Sequence, residues 1–215
     1  MARRQQTKRE GKIISFPFLL ILIKHFFILN KKIMLLSLDI STTCVGYSVF
    51  NENGVLIELN YVKFNSKDSY FERLNHFKRS VDHLLQFNVK HIAIEEPLEK
   101  FKGKFSSAHT IAVLNFFNGM VSGFLYNYFK IEPVYYNVNN ARSLVLPGMK
   151  IKKDGASTKH QIWEKVVEME PQVNWKYGLK SRKLMEENYD MVDAYIVGRN
   201  HFKMMEVQRE KALGK

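Results

Sequence analysis

The chain has almost no sulfur chemistry to offer: it holds one cysteine, Cys44, in 215 residues. A single cysteine excludes an intrachain disulfide framework and a cysteine-based zinc site. It fits a reducing compartment, and the cytoplasm is the expected location. Histidine is no richer a source, because His109, His160 and His201 stand in no partner pattern. The apolar stretch IISFPFLLILIKHFFIL at 13–29 is broken by Lys24 and His25. Its uninterrupted run falls short of the ~20 residues that a membrane span needs, and no small-residue cleavage site of a secretory signal follows it. No internal repeat is present.

Hydrophobic residues make up 46% and charged residues 25% of the chain, the balance of an ordinary globular domain with a substantial core. The formal net charge is +12, which points toward nucleic acid, but its distribution tempers that reading. Residues 1–33 hold eight of the Lys/Arg residues and a single acid, Glu10, leaving a net of only +5 for the other 182. Composition breaks at Met34. Residues 1–33 therefore read as an extension outside the fold, either upstream of the true start or a targeting or anchoring segment. The domain is expected over 34–205, with a charged tail at 206–215.

From Met34 the hydrophobic pattern is legible. MLLSLDI (34–40), CVGYSVF (44–50) and VLIELNYVKF (55–64) read as strands. Asn53-Gly54 marks a tight connection between the second and third. Phe71, Leu74, Phe77, Val81 and Leu84 recur at helical spacing. HIAIEE (91–96) is a fourth strand, 106–129 a long apolar helix, and EPVYYNV (132–138) a fifth strand. Helices follow at 139–146, 158–169 and about 188–205. This order predicts an α/β domain: a mixed five-stranded sheet, three strands antiparallel and then parallel crossovers, with helices on both faces.

Four acids stand out. Asp39 ends the first strand and Glu95 the fourth, with Glu96 beside it, while Asp190 and Asp193 lie three apart on one face of the last helix. An acid at a strand end is commonly a solvated loop residue, and Asp190 near a helix start is favourable in any case. Taken together in this element order, however, the four converge if the first and fourth strands are neighbours. Carboxylates so gathered repel one another unless cations bind them. Hard oxygen donors suit Mg²⁺, with Mn²⁺ a possible substitute, and two such ions are the usual arrangement for attack on a phosphodiester.

The segments LLSLDISTTCVGYSVF, IAIEEP and DMVDAYIVG resemble the three acidic motifs of RuvC-type Holliday junction resolvases, within the ribonuclease H-like superfamily. Asp39 and Gly46 match the first motif, Glu95 the second, and Asp190, Asp193 and Ala194 the third. The resemblance spans about 34–205. It implies a homodimeric, Mg²⁺-dependent endonuclease that cuts four-way DNA junctions in recombination and repair, with the four acids as its catalytic metal ligands. The turn after Asp39 lacks the Pro-Gly common in bacterial members, and Glu96 stands where many have Gln. Both departures suggest a divergent, viral or phage-like branch.

Two loops are candidates for holding DNA. EKFKGKFSS (99–107) alternates Lys100, Lys102 and Lys104 with Phe101 and Phe105; lysines suit phosphates and an aromatic ring stacks on an unpaired base. The bland reading is a solvated loop whose phenylalanines return to the core. Lys159, in the loop and helix start that also carry Lys150, Lys152 and Lys153, matches a lysine that the family places near the scissile phosphate. Arg142 is a further candidate. In the long helix, Gly119 and Gly123 permit close approach, either of the sheet or of a second subunit.

Other functions compete. The same metal site would serve a structure-specific nuclease for flaps or forks. LDISTT also resembles the first phosphate loop of actin-like kinases and ATPases, but those need two domains and further Gly-rich loops. A non-catalytic DNA-binding module would have no need of all four acids. No small-molecule cofactor or membrane partner is expected.

Overall fold

A computed structural model of the chain describes residues 33–97, 107–153 and 155–214. They form a five-stranded sheet ordered β3-β2-β1-β4-β5. The strands are β1 (Ile33–Ile40), β2 (Cys44–Asn51), β3 (Leu56–Lys63), β4 (Asn88–Glu95) and β5 (Val134–Tyr136). β1, β2 and β3 form an antiparallel meander, and β4 and β5 add in parallel. The mixed sheet and the adjacency of β1 and β4 match the sequence expectation.

Strand alternation sorts the side chains into two layers. Leu36, Leu38 and Ile40 of β1 face one core together with Val45, Tyr47 and Val49 of β2 and Ile92 and Ile94 of β4. Helices α1 (Tyr70–Ser80) and α2 (Ala108–Phe129) cover that face through Phe77, Phe117, Val121 and Leu125. The opposite face offers Leu35, Phe50 and Ala93, covered by α3 (Val138–Val145), α4 (Thr158–Met169) and α5 (Glu187–Ala212). Asp39 and Glu95 fall on this second face because each lies one residue beyond an inward leucine or isoleucine of the first.

Helix ends follow side-chain chemistry. Ser69 and Glu72 form a reciprocal capping box on α1, and Ser107, Asn137 and Ser157 cap α2, α3 and α4. Lys130, at a φ of 58°, closes α2 in the left-handed region.

Two expectations are corrected and one alternative is removed. Phe71 is 67% exposed, because α1 turns Phe77 and the buried Arg73 inward instead. The Arg73 guanidinium donates to the carbonyls of Thr42 and Ser66, at 2.6 and 2.9 Å, and so braces the β1–β2 turn. The last helix does not end near 205 but continues to Ala212. Gly119 and Gly123 do not serve close packing within the subunit, since a Cβ at either would meet nothing within 4 Å.

α5 lies very close to the sheet. A Cβ on Gly46 would sit 2.2 Å from the Asp190 carbonyl oxygen, and one on Gly198 would sit 2.4 Å from both Phe50 and Ser37. Between them the Ser48 hydroxyl reaches the Ala194 carbonyl at 3.3 Å. Small residues on both surfaces thus let the helix backbone rest on β2, which fixes the height of Asp190 and Asp193 above the strands.

Candidate metal centre

Asp39 pairs across β1–β2 with Gly46, and the parallel register of Leu38 with Ile94 sets Asp39 beside Glu95. From above, α5 lowers Asp193. Ligand-capable oxygens of Asp39, Glu95 and Asp193 all lie within 4.8 Å of one another. Asp190, one helical turn earlier, lines the same cleft, about 350 Å³ in volume, but stands outside that tight group. Its carboxylate is hydrogen-bonded by the buried Cys44 thiol.

The electrostatics of the cluster are strained in the way expected of gathered carboxylates. Burial raises Asp39 well above the usual carboxylate range; the charges of Glu95, Asp193 and Asp190 push it further, and Lys159 partly offsets them. Glu95 is pushed up to about 7, first by burial and then by Asp193. Arg142, a hydrogen bond with Asp39, and Lys159 draw it back down. Asp190 is raised by burial, against the lowering effect of its Cys44 hydrogen bond and Lys159.

Two observations fit a cation. Glu95 Oε2 is buried and has no hydrogen-bond partner, an unfavourable state for a carboxylate oxygen unless something positive takes it. The donors are all carboxylate oxygens, the set preferred by Mg²⁺ and Mn²⁺. Asp39, Glu95 and Asp193 are the residues that would hold such an ion.

Of the other residues singled out in the sequence, Arg142 and Lys159 both line the cleft. Arg142, on α3, donates to Asp193 Oδ1 through Nη2 at 2.6 Å and Nε at 3.2 Å. Lys159 stands in the first turn of α4, after the Ser157 cap. Glu96 lines the cleft too, with its carboxylate 3.5 Å from the Asn137 amide. Lys150, Lys152 and Lys153 are exposed and lie outside the cleft. Lys100, Phe101, Lys102, Lys104 and Phe105 lie outside the described residues. His160 and His201 do find partners, in Tyr189 and Tyr136.

The sequence reading missed three contributors. Cys44 shares a strand face with Gly46, so period-two alternation already aims it at α5. Asn118 and Asn139 also line the cleft; Asn118 is a buried amide in an otherwise apolar helix, and that is a signal in itself.

No protein-family model matches the chain, and no curated protein does either. Solved structures do. The Thermus thermophilus RuvC structure in complex with a Holliday junction substrate aligns with a TM-score of 0.55 at 13% identity, covering 80% of this chain and 96% of that one. A second Thermus thermophilus RuvC structure gives 0.53 at 16% identity with the same coverage. A fowlpox virus resolvase bound to Holliday junction DNA gives 0.41 at 14% identity, covering 80% and 98%. The first two likenesses extend over nearly the whole of those two chains, so this chain shares their overall fold, a ribonuclease H-like mixed sheet.

Proposed function

We propose that this protein is a Mg²⁺-dependent endonuclease that cuts four-way DNA junctions as a homodimer. The observation that carries the reading is the convergence of Asp39, Glu95 and Asp193 within 4.8 Å beside a partnerless Glu95 oxygen. Bound divalent ions would supply a nucleophilic water at neutral pH and charge stabilisation for the leaving oxygen. The chain's own residues do the rest. Asp39 and Glu95, from adjacent strands, form a rigid floor. Asp193 and Asp190 close it from α5, and Arg142 fixes the orientation of Asp193. Lys159 brings a cation to the mouth of the cleft, where a phosphate would enter. The lysines and phenylalanines of 99–107 are assigned to the branch point. Ile33 opens β1, so the extension shortens by one residue, and residues 1–32 are proposed to add nothing to the fold.

The homodimer rests on α2. Its Phe117, Val121 and Leu125 meet the sheet, while Phe116, Tyr126 and Tyr128 are about half exposed and Gly119 and Gly123 open outward. α2 is also, among the described residues, the one helix long and apolar enough to cross a membrane, but one of its sides is packed on the sheet. A two-fold pair would give two metal centres in matched orientation for two symmetric cuts.

The deciding experiment incubates the protein with Mg²⁺ and a four-way junction, a flap or linear duplex. Paired symmetric nicks in the junction support the reading. Cutting of the flap alone would replace it with a single-cut branch nuclease.

A further inference from the structure

Between α4 and α5 the chain rises into a hairpin, Lys176 to Met185, that the roles above leave unused. Tyr177 and Leu184 pair across it. Gly178 donates to Lys183 O and Arg182 to Gly178 O, both at 2.8 Å, with Arg182 in the left-handed region at a φ of 51°. The root is anchored on a buried amide. Asn188, with no solvent exposure, accepts the Lys176 N–H at 2.9 Å and donates to the carbonyls of Lys176 and Met185 at 2.7 Å each. The preceding Trp175 packs edge-on against Trp163, 6.0 Å between centroids.

What this platform holds out is unusual. Leu179 at the tip is 101% exposed and Tyr177 50%. From Lys176 to Met185 there are four cations, Lys176, Lys180, Arg182 and Lys183, and no acid. None of the four forms an ion pair among the described residues. An ordinary solvated turn has no need of a buried asparagine anchoring its base. The position is telling as well. Asn188 lies two residues before Asp190. Glu186 and Tyr189 line a polar groove of about 510 Å³ that also touches Ser41, Lys159 and Asp190. That groove shares Ser41, Lys159 and Asp190 with the acid cleft and runs from it to the hairpin's root.

We propose that the Lys176–Met185 hairpin is a second DNA contact. Lys180, Arg182 and Lys183 grip phosphates of the arm beside the cut, and Leu179 lies against the bases where the arm leaves the branch. Unpaired cations on a rigid support release counterions from DNA at little ordering cost, and apolar tips are the side chains that wedge between base steps. The inference rests on the nuclease reading for its substrate, but it is tested by binding rather than by cutting.

Binding of fluorescent four-way junction and linear duplex is measured without metal, across a salt series, for the full chain. K180E/R182E/K183E should bind both DNAs at least roughly tenfold more weakly, and its log-affinity slope against log-salt should be shallower by about 2 to 3. The milder K180Q/R182Q/K183Q should fall between, which guards against misfolding of the reversed-charge variant. L179S should weaken the junction several-fold and leave the duplex unchanged. Affinity within twofold of wild type with an unchanged salt slope would overturn the proposal and would fit a hairpin that meets an acidic protein surface. Wild-type protein that binds no DNA would overturn it as well. Junction binding with no junction cleavage would instead count against the nuclease reading while leaving the hairpin proposal standing on its affinities.

Discussion

Arg142 places both of its hydrogen bonds on one oxygen of Asp193, at 2.6 and 3.2 Å, and none on the other. A bidentate fork would have occupied both oxygens. This one-sided grip turns the carboxylate and leaves its second oxygen for a ligand. Removing an outer partner of a metal ligand typically costs 10–100-fold. R142A is therefore expected to weaken Mn²⁺ binding, followed by calorimetry, and junction cleavage by about that factor, with R142K recovering part of both. Unchanged Mn²⁺ affinity in R142A would leave Arg142 as a plain surface cation.

The acids hold stability in reserve. With no cation bound, Asp39 and Glu95 are desolvated and repel each other and Asp193. D39N and E95Q should abolish cleavage while raising the melting temperature of the metal-free protein by roughly 2–8 °C, the shift expected for 1–2 kcal/mol in a domain of this size. Calorimetry in chelator gives the answer; lower melting temperatures in both variants would mean the carboxylates are structural.

The pH profile of stability follows from the same strain. Glu95 titrates near 7 in the folded chain, above its ordinary 4.5, so the folded state holds the extra proton between those values. Stability contributed by that proton is present at low pH and is lost as pH rises through about 7. His201 works in the other direction: burial lowers it to about 4, so stability is lost as pH falls from 6.5 toward 4. The wild-type melting temperature in chelator should thus decline from pH 6 to pH 8, E95Q should flatten that limb, and Mg²⁺ should stabilise most above pH 7. An identical decline in E95Q would assign the effect to another group.

Gly46 permits the contact that sets the height of α5. With a Cβ 2.2 Å from the Asp190 carbonyl, G46A has to lift the helix or distort β2. Overpacking of this kind costs about 1–3 kcal/mol or more. Denaturant titration should show that loss, and cleavage should fall more steeply than the folded fraction, because the acids separate before the domain unfolds. Activity falling only in step with the folded fraction would count against this coupling.

Phe116 and Tyr126 are about half exposed on α2, Phe116 keeping only an edge contact with Tyr70. The double change F116D/Y126D should leave the thermal midpoint close to wild type and convert a dimer to a monomer in light scattering. Under the two-fold reading it should also turn paired junction incisions into single nicks. A wild-type protein that is monomeric with and without junction DNA removes the paired mechanism.

The meander, the β1–β4 adjacency and the placing of Asp39, Glu95, Asp190 and Asp193 on one cleft were legible because each depends on local periodicity: alternation in the strands, a three-residue step in the helix. Less legible was whatever depends on rotation about an element's axis. Phe71 follows the helical apolar pattern yet faces water, since the buried Arg73 takes its place in the contact through carbonyls 7 and 31 residues away. The Cys44–Asp190 contact and the Asn188 anchor join segments that no short window spans. The exposure of Gly119 and Gly123 was equally out of reach, because a glycine pair reads the same whether its neighbour belongs to the same subunit or another.

The Ser48–Ala194 contact spans 146 positions, and even the Tyr136–His201 bond from β5 to α5 spans 65. Synthesis from the N-terminus therefore delivers Asp39 and Glu95 well before Asp193. A nascent or prematurely terminated chain that stops before Glu187 has half its acids, a bare sheet face and no cleft roof. Such fragments are expected to be unable to cut nucleic acid and recognisable to quality-control machinery by their uncovered Leu35, Phe50 and Ala93. Under the nuclease reading, cutting could begin only once this last helix has been made and has docked on the sheet.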